Sequence, residues 1–223
     1  MKYHAFVDFD GTVTVEDVGY SFFKLFTYGK VDKYVKQYRS GKITAVQCLA
    51  RECNVYNENP APVDEVMGFV DSQEITEGFP EFVRLCEGIG CRLTILSAGF
   101  DFYIKRILKN HGLEHLAVYS SRATIRRDRI YPEFTYYDKD ACTQCANCKG
   151  VQIVKLTAPG EKSIFIGDGH SDSHGAQKAN LVFAKGYLAS YLSKKRVDYV
   201  GYDNFFDVIA KFQEALRGKT EVS

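Results

Sequence analysis

The sequence predicts an α/β protein: a doubly wound, mostly parallel sheet with a small helical insert placed after the first strand. Three observations predict it. Short apolar runs alternate with helical spacing from about residue 78 onward. Residues 15–73 instead carry helical spacing with little strand character. Polar residues close several of the apolar runs, where ligands sit in open α/β sheets. The expected division is a sheet core from 1–14 and 74–223, with an insert from 15–73.

Residues 3–9 form a short buried strand, followed by a turn at Gly11-Thr12. Segments 18–28, 31–38, 45–53 and 63–70 then have the apolar spacing of helices. Thr44 suits an N-cap and 57–62 a loop. Beyond the insert, a helix over 78–86 carries Pro80 near its first turn. A strand over 92–96, a helix over 100–109 and a strand over 116–120 follow. Alternation on both sides of Arg127-Asp128 predicts a hairpin within 124–137. The remainder reads as helix 151–156, strand 163–166, helix 171–178, strand 181–183 and a last helix over 205–216. Strands joined through helices imply parallel pairing.

Composition narrows the function classes. The 223 residues suffice for one core plus a smaller unit. Lysine and arginine number 29 against 28 acids, so no global field draws the chain to nucleic acid or an anionic membrane. No apolar run reaches the length of a membrane span. The first apolar segment holds Asp8 and Asp10, which a signal peptide would not. Seven cysteines in a chain that needs no staples fit thiols in a reducing cytoplasm. A monomer or homodimer acting on a small molecule is expected.

Four local patterns carry chemistry. In Asp8-Phe9-Asp10-Gly11-Thr12, extended backbone turns Asp8 and Asp10 to one side and Phe9 to the core. Two carboxylates so close repel unless a cation lies between them or one is protonated. Acids that merely end a strand in a turn are the alternative. Ser97, in Ile95-Leu96-Ser97-Ala98-Gly99, combines a hydroxyl with backbone N–H groups that suit a phosphate oxygen, or is a plain N-cap. Gly167-Asp168-Gly169-His170-Ser171-Asp172 places Asp168 at a strand end. Asp172, one helical turn on, either supports a cation site or answers a helix dipole. Lys149 opens a helix, where a cation is locally unfavourable unless an anion or acid cluster faces it. Taken singly, it also reads as a solvated lysine.

The joint order of these patterns resembles the haloacid dehalogenase superfamily of phosphatases over essentially the whole chain. The insert falls where that superfamily often carries a cap domain on a Rossmann-like core. Asp8-Phe9-Asp10-Gly11-Thr12-Val13-Thr14, Cys148-Lys149 and Phe183-Ala184-Lys185-Gly186-Tyr187-Leu188 resemble the phosphoserine-phosphatase-like branch. Within it, the methionine-salvage hydroxyketo-methylthiopentenyl phosphate phosphatases are most similar. The resemblance implies Asp8 as nucleophile and Asp10 as general acid and base. It also implies Mg²⁺ on Asp8, Asp168 and the Asp10 backbone carbonyl, with Asp172 behind them. Ser97, Ala98, Gly99 and Lys149 would hold the phosphate. The side chains of residues 8, 10 and 168 are expected to gather around one ion.

Asp17 stands where phosphoserine phosphatases tend to have Glu, so it is either a substrate contact or a first-turn acid. Phe22, Phe23, Phe26, Tyr28, Tyr34 and Tyr38 could line an apolar pocket or form the cap's own core. Cys142, Cys145 and Cys148 form two Cys-x-x-Cys steps, within reach of one Zn²⁺. Unliganded thiols and redox pairing remain open. A fourth ligand could come from His111, His115, His170 or His174, although His170 is not expected to ligate. Cys48, Cys53, Cys86 and Cys91 read as core.

A magnesium-dependent phosphomonoesterase acting on a small phosphorylated metabolite is therefore expected. A phosphoserine phosphatase, a phosphomutase, and a metal-binding sensor with a vestigial site are the competing functions.

Overall fold

The chain enters through β1 (Lys2–Val7), where Ala5, Phe6 and Val7 are fully buried. In the computed structural model, which describes residues 2–217, this strand is the centre of a seven-stranded sheet. A strand covered on both faces needs an unbroken apolar run. Its alternation divides the core in two. Ala5 and Val7 pack with Ile95, Ile164 and Ile166 on one face. Phe6 packs with Leu96 and Phe165 on the other.

Four helices follow β1: α1 (Val18–Phe26), α2 (Asp32–Arg39), α3 (Ala45–Glu58) and α4 (Val63–Asp71). Thr44 caps α3 in a full capping box with Gln47, and the helix runs on to Glu58, two residues into the loop expected over 57–62. The chain leaves and re-enters the sheet region side by side. Thr14 bridges Ile75, and the Val15 and Thr76 amides donate to the Glu74 and Val13 carbonyls at 3.1 and 2.8 Å.

The alternating portion comprises α5 (Phe79–Gly88), β2 (Arg92–Phe100), α6 (Asp101–Asn110), β3 (Ala117–Arg126), β4 (Arg129–Glu133), α7 (Lys149–Leu156) and β5 (Glu161–Gly167). A single turn at His170–Asp172 leads into α8 (Ser173–Ala176). Then come β6 (Leu181–Ala184), α9 (Gly186–Lys195), β7 (Val200–Gly201) and α10 (Phe205–Arg217). The sheet order is β4-β3-β2-β1-β5-β6-β7. Every pair is parallel except the β3–β4 hairpin, whose turn puts Arg127 and Asp128 at φ 49° and 63°. Met1 and residues 218–223, placed in the sheet core by the sequence-based division, lie outside the described residues.

Three local expectations are corrected. β2 does not stop at Leu96 but continues to Phe100, with its register against β3 shifting between those residues. Ser97-Ala98-Gly99 therefore belongs to an irregular strand end, and α6 starts only at Asp101. α9 was not anticipated. It buries only Leu188 and Leu192, a seam too narrow to stand out as periodic. β7 is a two-residue edge that carries no pattern of its own.

The helical insert packs closely on the sheet portion. The Asn57 side chain accepts from the Ile130 amide and donates to the Ile130 carbonyl, both at 2.8 Å. Arg106 on α6 grips Asp71 at the end of α4 through two 2.6 Å bonds.

Candidate active site

Asp8 follows the last residue of β1, and its amide donates to the Ile166 carbonyl of β5 at 2.9 Å. The backbone then turns sharply through Gly11 at φ +76°. A Cβ at Gly11 would lie 2.7 Å from Asp168 Oδ2, so glycine is required both for the turn and for the approach. Thr12 donates its hydroxyl to Asp168 Oδ1 at 2.7 Å. The first turn and the end of β5 are thereby fastened together.

Oxygen atoms of Asp8, Asp168 and Asp172 all lie within 4.8 Å of one another. Asp172 is fully buried, and its Oδ2 accepts from the Asp168 and Gly169 amides at 2.9 and 2.8 Å. Lys149, the first residue of α7, is wholly buried against this cluster. Its ammonium lies 2.6 Å from Asp8, pairs with Asp172, and donates to the Ser171 hydroxyl at 3.1 Å. The cation that looked misplaced at a helix start is balanced by two carboxylates.

The charges explain the titration. Burial and the neighbouring Asp172 charge push the Asp8 carboxyl up, and Lys149 opposes them. Burial and Asp172 raise Asp168 to about 6, against the Thr12 hydrogen bond. Burial alone would lower the Lys149 pKa, but Asp172 and Asp8 outweigh it and the ammonium is held protonated. Three carboxylates against one lysine leave a surplus of negative charge. Such a set of hard oxygen donors fits a small divalent cation such as Mg²⁺.

Asp10 does not join that cluster through its carboxylate, which corrects the expectation that side chains 8, 10 and 168 surround one ion. Asp172 takes the third place. The Asp10 side chain turns instead toward α6 and α1. Its Oδ2 accepts from Tyr103 Oη at 2.9 Å and Ser97 Oγ at 3.2 Å, and its Oδ1 from the Gly19 amide at 3.0 Å. The reason is geometric: Asp10 sits inside the turn, where backbone no longer alternates as in a strand. Burial and the Asp17 charge raise its pKa to about 7, opposed by those three hydrogen bonds.

Asp8, Asp10, Ser97, Ala98, Gly99 and Asp168 share the wall of one pocket of about 420 Å³. Ser97 Oγ also accepts from the Gly99 amide at 2.9 Å. A Cβ at Gly99 would meet Tyr103 Oη at 1.7 Å, so only glycine lets Tyr103 reach Asp10. Asp17 caps α1, accepting from the Tyr20 amide at 2.9 Å, and lines the same pocket. Of the insert's aromatic residues, Tyr20, Phe23 and Tyr38 line the pocket, Phe22 packs against Tyr56, and Tyr28 is 85% exposed. Cys142, Cys145 and Cys148 gather elsewhere, around His174. His170 instead stacks on Tyr187, and both line the pocket.

Tyr103, Arg39 and Glu52 were not anticipated as pocket residues. Tyr103 sits on the buried face of an amphipathic helix, where an aromatic reads as core. Arg39 and Glu52 look like ordinary helix-surface charges until α2 and α3 fold over the sheet. Asn147 was also passed over. Its side-chain amide donates to the Ser97 and Tyr119 carbonyls at 3.0 and 2.9 Å, fixing the irregular end of β2.

Two curated relatives span nearly the whole chain. A 2-hydroxy-3-keto-5-methylthiopentenyl-1-phosphate phosphatase of Brevibacillus brevis is 28% identical over 212 residues, 94% of each chain. The protein of the same name from Lysinibacillus sphaericus is 27% identical, covering 97% of this chain and 96% of its own. Among solved structures, a substrate-bound phosphoserine phosphatase superposes with a TM-score of 0.74 at 19% identity, covering 95% of this chain and 98% of that one. That likeness establishes a shared fold. The model of the haloacid dehalogenase-like hydrolases matches residues 5–177, and with relatives that are phosphatases along their full length, the chain belongs to the haloacid dehalogenase-like hydrolase family as a phosphatase.

Proposed function

We propose that this phosphatase hydrolyses a small keto-enol phosphate bearing an apolar thioether tail, through a phosphoryl-aspartate on Asp8. The observation that carries the substrate class is the mixed lining of the pocket. The acids and Ser97 share its wall with apolar side chains of the insert, Phe23, Val35, Ala45, Cys48 and Leu49. An uncharged methylthio group suits such a wall, whereas an amino acid's charged end gains little from it. The methylthiopentenyl phosphate named for the two relatives has such a tail.

In this reading an Asp8 oxygen attacks phosphorus in line while the bond to the leaving oxygen breaks. Asp10 gives that oxygen its proton. The resulting Asp10 carboxylate then takes a proton from the water that attacks the phosphoryl-aspartate, releasing phosphate and restoring Asp8. A pKa near 7 suits both duties. Tyr103, Ser97 and the Gly19 amide hold the Asp10 carboxyl in place. Lys149 steadies Asp8 as an anion, and Lys149, Ser97 and the Ala98 and Gly99 amides hold the phosphate oxygens. Asp8 and Asp168, with the Asp10 backbone carbonyl, would hold Mg²⁺, and Asp172 would orient Asp168. When bound, the ion supplies the positive charge that lets an anionic nucleophile meet an anionic phosphate.

Residues 15–73 act as a cap over the core formed by the flanking segments of the chain. Gly19 contacts Asp10 from the cap side, so closure both excludes water and completes the acid's setting. None of the seven cysteines is paired in a disulfide, which fits a reducing compartment such as the cytoplasm.

A second reading has support of its own. Arg39 and Asp17 both line the pocket and could receive the carboxylate and ammonium of phosphoserine. Steady-state kinetics with Mg²⁺ decide between them. The thioether enol phosphate is expected to exceed phosphoserine by at least tenfold in kcat/KM, and the reverse order would overturn the proposal.

A further inference from the structure

Residues 134–148, between β4 and α7, form neither helix nor strand, yet they deliver Lys149 to the acid cluster. A loop of this length without regular structure needs some other means of holding its shape. Its last seven residues carry Cys142, Cys145 and Cys148, and the fold brings them to His174 at the start of α8.

The distances are nearly equal. His174 Nδ1 lies 3.6, 3.4 and 3.5 Å from the sulfurs of Cys142, Cys145 and Cys148. One imidazole nitrogen has a single lone pair or a single hydrogen, so three simultaneous hydrogen bonds do not explain the arrangement. A tetrahedral ion does. With metal–sulfur bonds of about 2.3 Å and metal–nitrogen bonds of about 2.0–2.1 Å, the sulfur–nitrogen edge of the tetrahedron is about 3.6 Å. All four ligand atoms fall within 4.8 Å of one another, as one coordination sphere requires.

We infer that Cys142, Cys145, Cys148 and His174 bind one Zn²⁺. Three soft thiolates and an imidazole select zinc over the magnesium that oxygen ligands prefer. Four protein ligands close the sphere and leave no position for substrate or an activated water, so the site is structural.

Its location gives the ion a task. Cys148 precedes Lys149, and His174 follows Asp172 by two residues. The ion therefore ties together the two chain segments whose side chains meet as the Lys149–Asp172 pair. The backbones there are in close approach, since a Cβ on Gly150 would sit 2.5 Å from the His174 carbonyl oxygen. The same loop reaches the helical insert, where the Ala45 amide at the start of α3 donates to the Gln144 carbonyl at 2.9 Å. Zinc here holds Lys149 against Asp8 and Asp172, and the loop against α3.

The test begins with the wild-type chain, expressed in zinc-supplemented medium and purified without chelator. Elemental analysis is expected to find about one zinc per chain, and His174→Ala and Cys145→Ser to retain less than a fifth of it. Replacing the metal with Co²⁺ should give the thiolate charge-transfer and visible bands of a tetrahedral site, a readout on the unmutated protein. Zinc-stripped protein with Mg²⁺ restored should keep its helix content by circular dichroism but bind inorganic phosphate several-fold more weakly. A wild-type chain that carries no zinc and takes none up at micromolar concentration overturns the inference. So does a native chain with two of these cysteines in a disulfide. Zinc content is measured without substrate, so failure here is separable from failure of the substrate proposal.

Discussion

The Tyr103 hydroxyl donates to Asp10 Oδ2 at 2.9 Å, joining α6 to the turn after β1. Burial and the Asp10 charge both push the Tyr103 pKa up, so the phenol remains a donor across the working pH range. The bond fixes which way the Asp10 carboxyl faces. Replacing Tyr103 by Phe keeps the ring's packing against Phe9 and Phe102 but frees the carboxyl to rotate. A positioned acid contributes about 10²–10⁴-fold to such reactions, and loss of one of its three anchors should forfeit part of that. We expect Tyr103→Phe to lower kcat about tenfold with KM changed less than threefold, read from steady-state kinetics at fixed Mg²⁺. An unchanged kcat would show that Ser97 and Gly19 suffice.

Asp8→Asn removes the nucleophile but preserves the side chain's shape. The wild-type site crowds Asp8, Asp168 and Asp172 together, and Lys149 would still pair with Asp172 in the variant. The folded state should therefore lose little, because repulsion falls along with attraction. Turnover is expected to drop by at least 10³-fold while the thermal midpoint stays within a few degrees of wild type. Residual activity near the native level would remove Asp8 from its proposed role.

What could be read in advance follows from the range of each signal. Asp8, Asp10 and Gly11 were legible because a strand end and its turn are written in five consecutive residues. Asp168 and Asp172 were legible for the same reason. Lys149 announced itself as a cation at the wrong end of a helix, although only the fold names Asp8 and Asp172 as its partners. The direction of the Asp10 side chain was misjudged, since strand alternation, which ends at Val7, was carried on into the turn. Tyr103 and Glu52 belong to helices whose pocket-facing positions depend on packing against another layer, and no local pattern separates them from core or surface. Likewise three cysteines were visible as a set, but choosing His174 among four candidates required the third dimension.

The acid cluster makes magnesium dependence a property of particular oxygens. Chelation with EDTA should abolish turnover, and added Mg²⁺ should restore it within the zinc-retaining protein. Asp168→Asn keeps an acceptor for Thr12 but removes one charge from the set. It is expected to raise the Mg²⁺ concentration for half-maximal activity at least tenfold, measured by titration of chelated enzyme. Asp101→Asn, which touches the exposed Lys105 and the Ala123 amide and does not itself line the pocket, serves as the control and should leave that concentration unchanged.

Glu52 supplies a test of whether the cap is closed in solution. It lies buried on α3 at the pocket's wall, and burial, reinforced by the Asp17 charge, raises its pKa from 4.5 to about 8. The folded state thus holds this proton more tightly than the unfolded chain does. Between the unfolded value and the raised one, folded molecules carry more protons, so stability falls as pH rises through that window. At 1.36 kcal/mol per pKa unit the loss is on the order of 3 kcal/mol by pH 7. Glutamine cannot ionise and escapes this loss. Urea denaturation should therefore find Glu52→Gln close to wild type near pH 4.5 and progressively more stable than wild type up to pH 8. Raised acids that are not coupled to Glu52 contribute equally to both proteins and cancel in the difference. If the two curves instead run parallel from pH 5 to 8, Glu52 is hydrated in solution and α3 does not rest over the pocket as described. The substrate's apolar wall, formed from the same helix, would then have to assemble on binding.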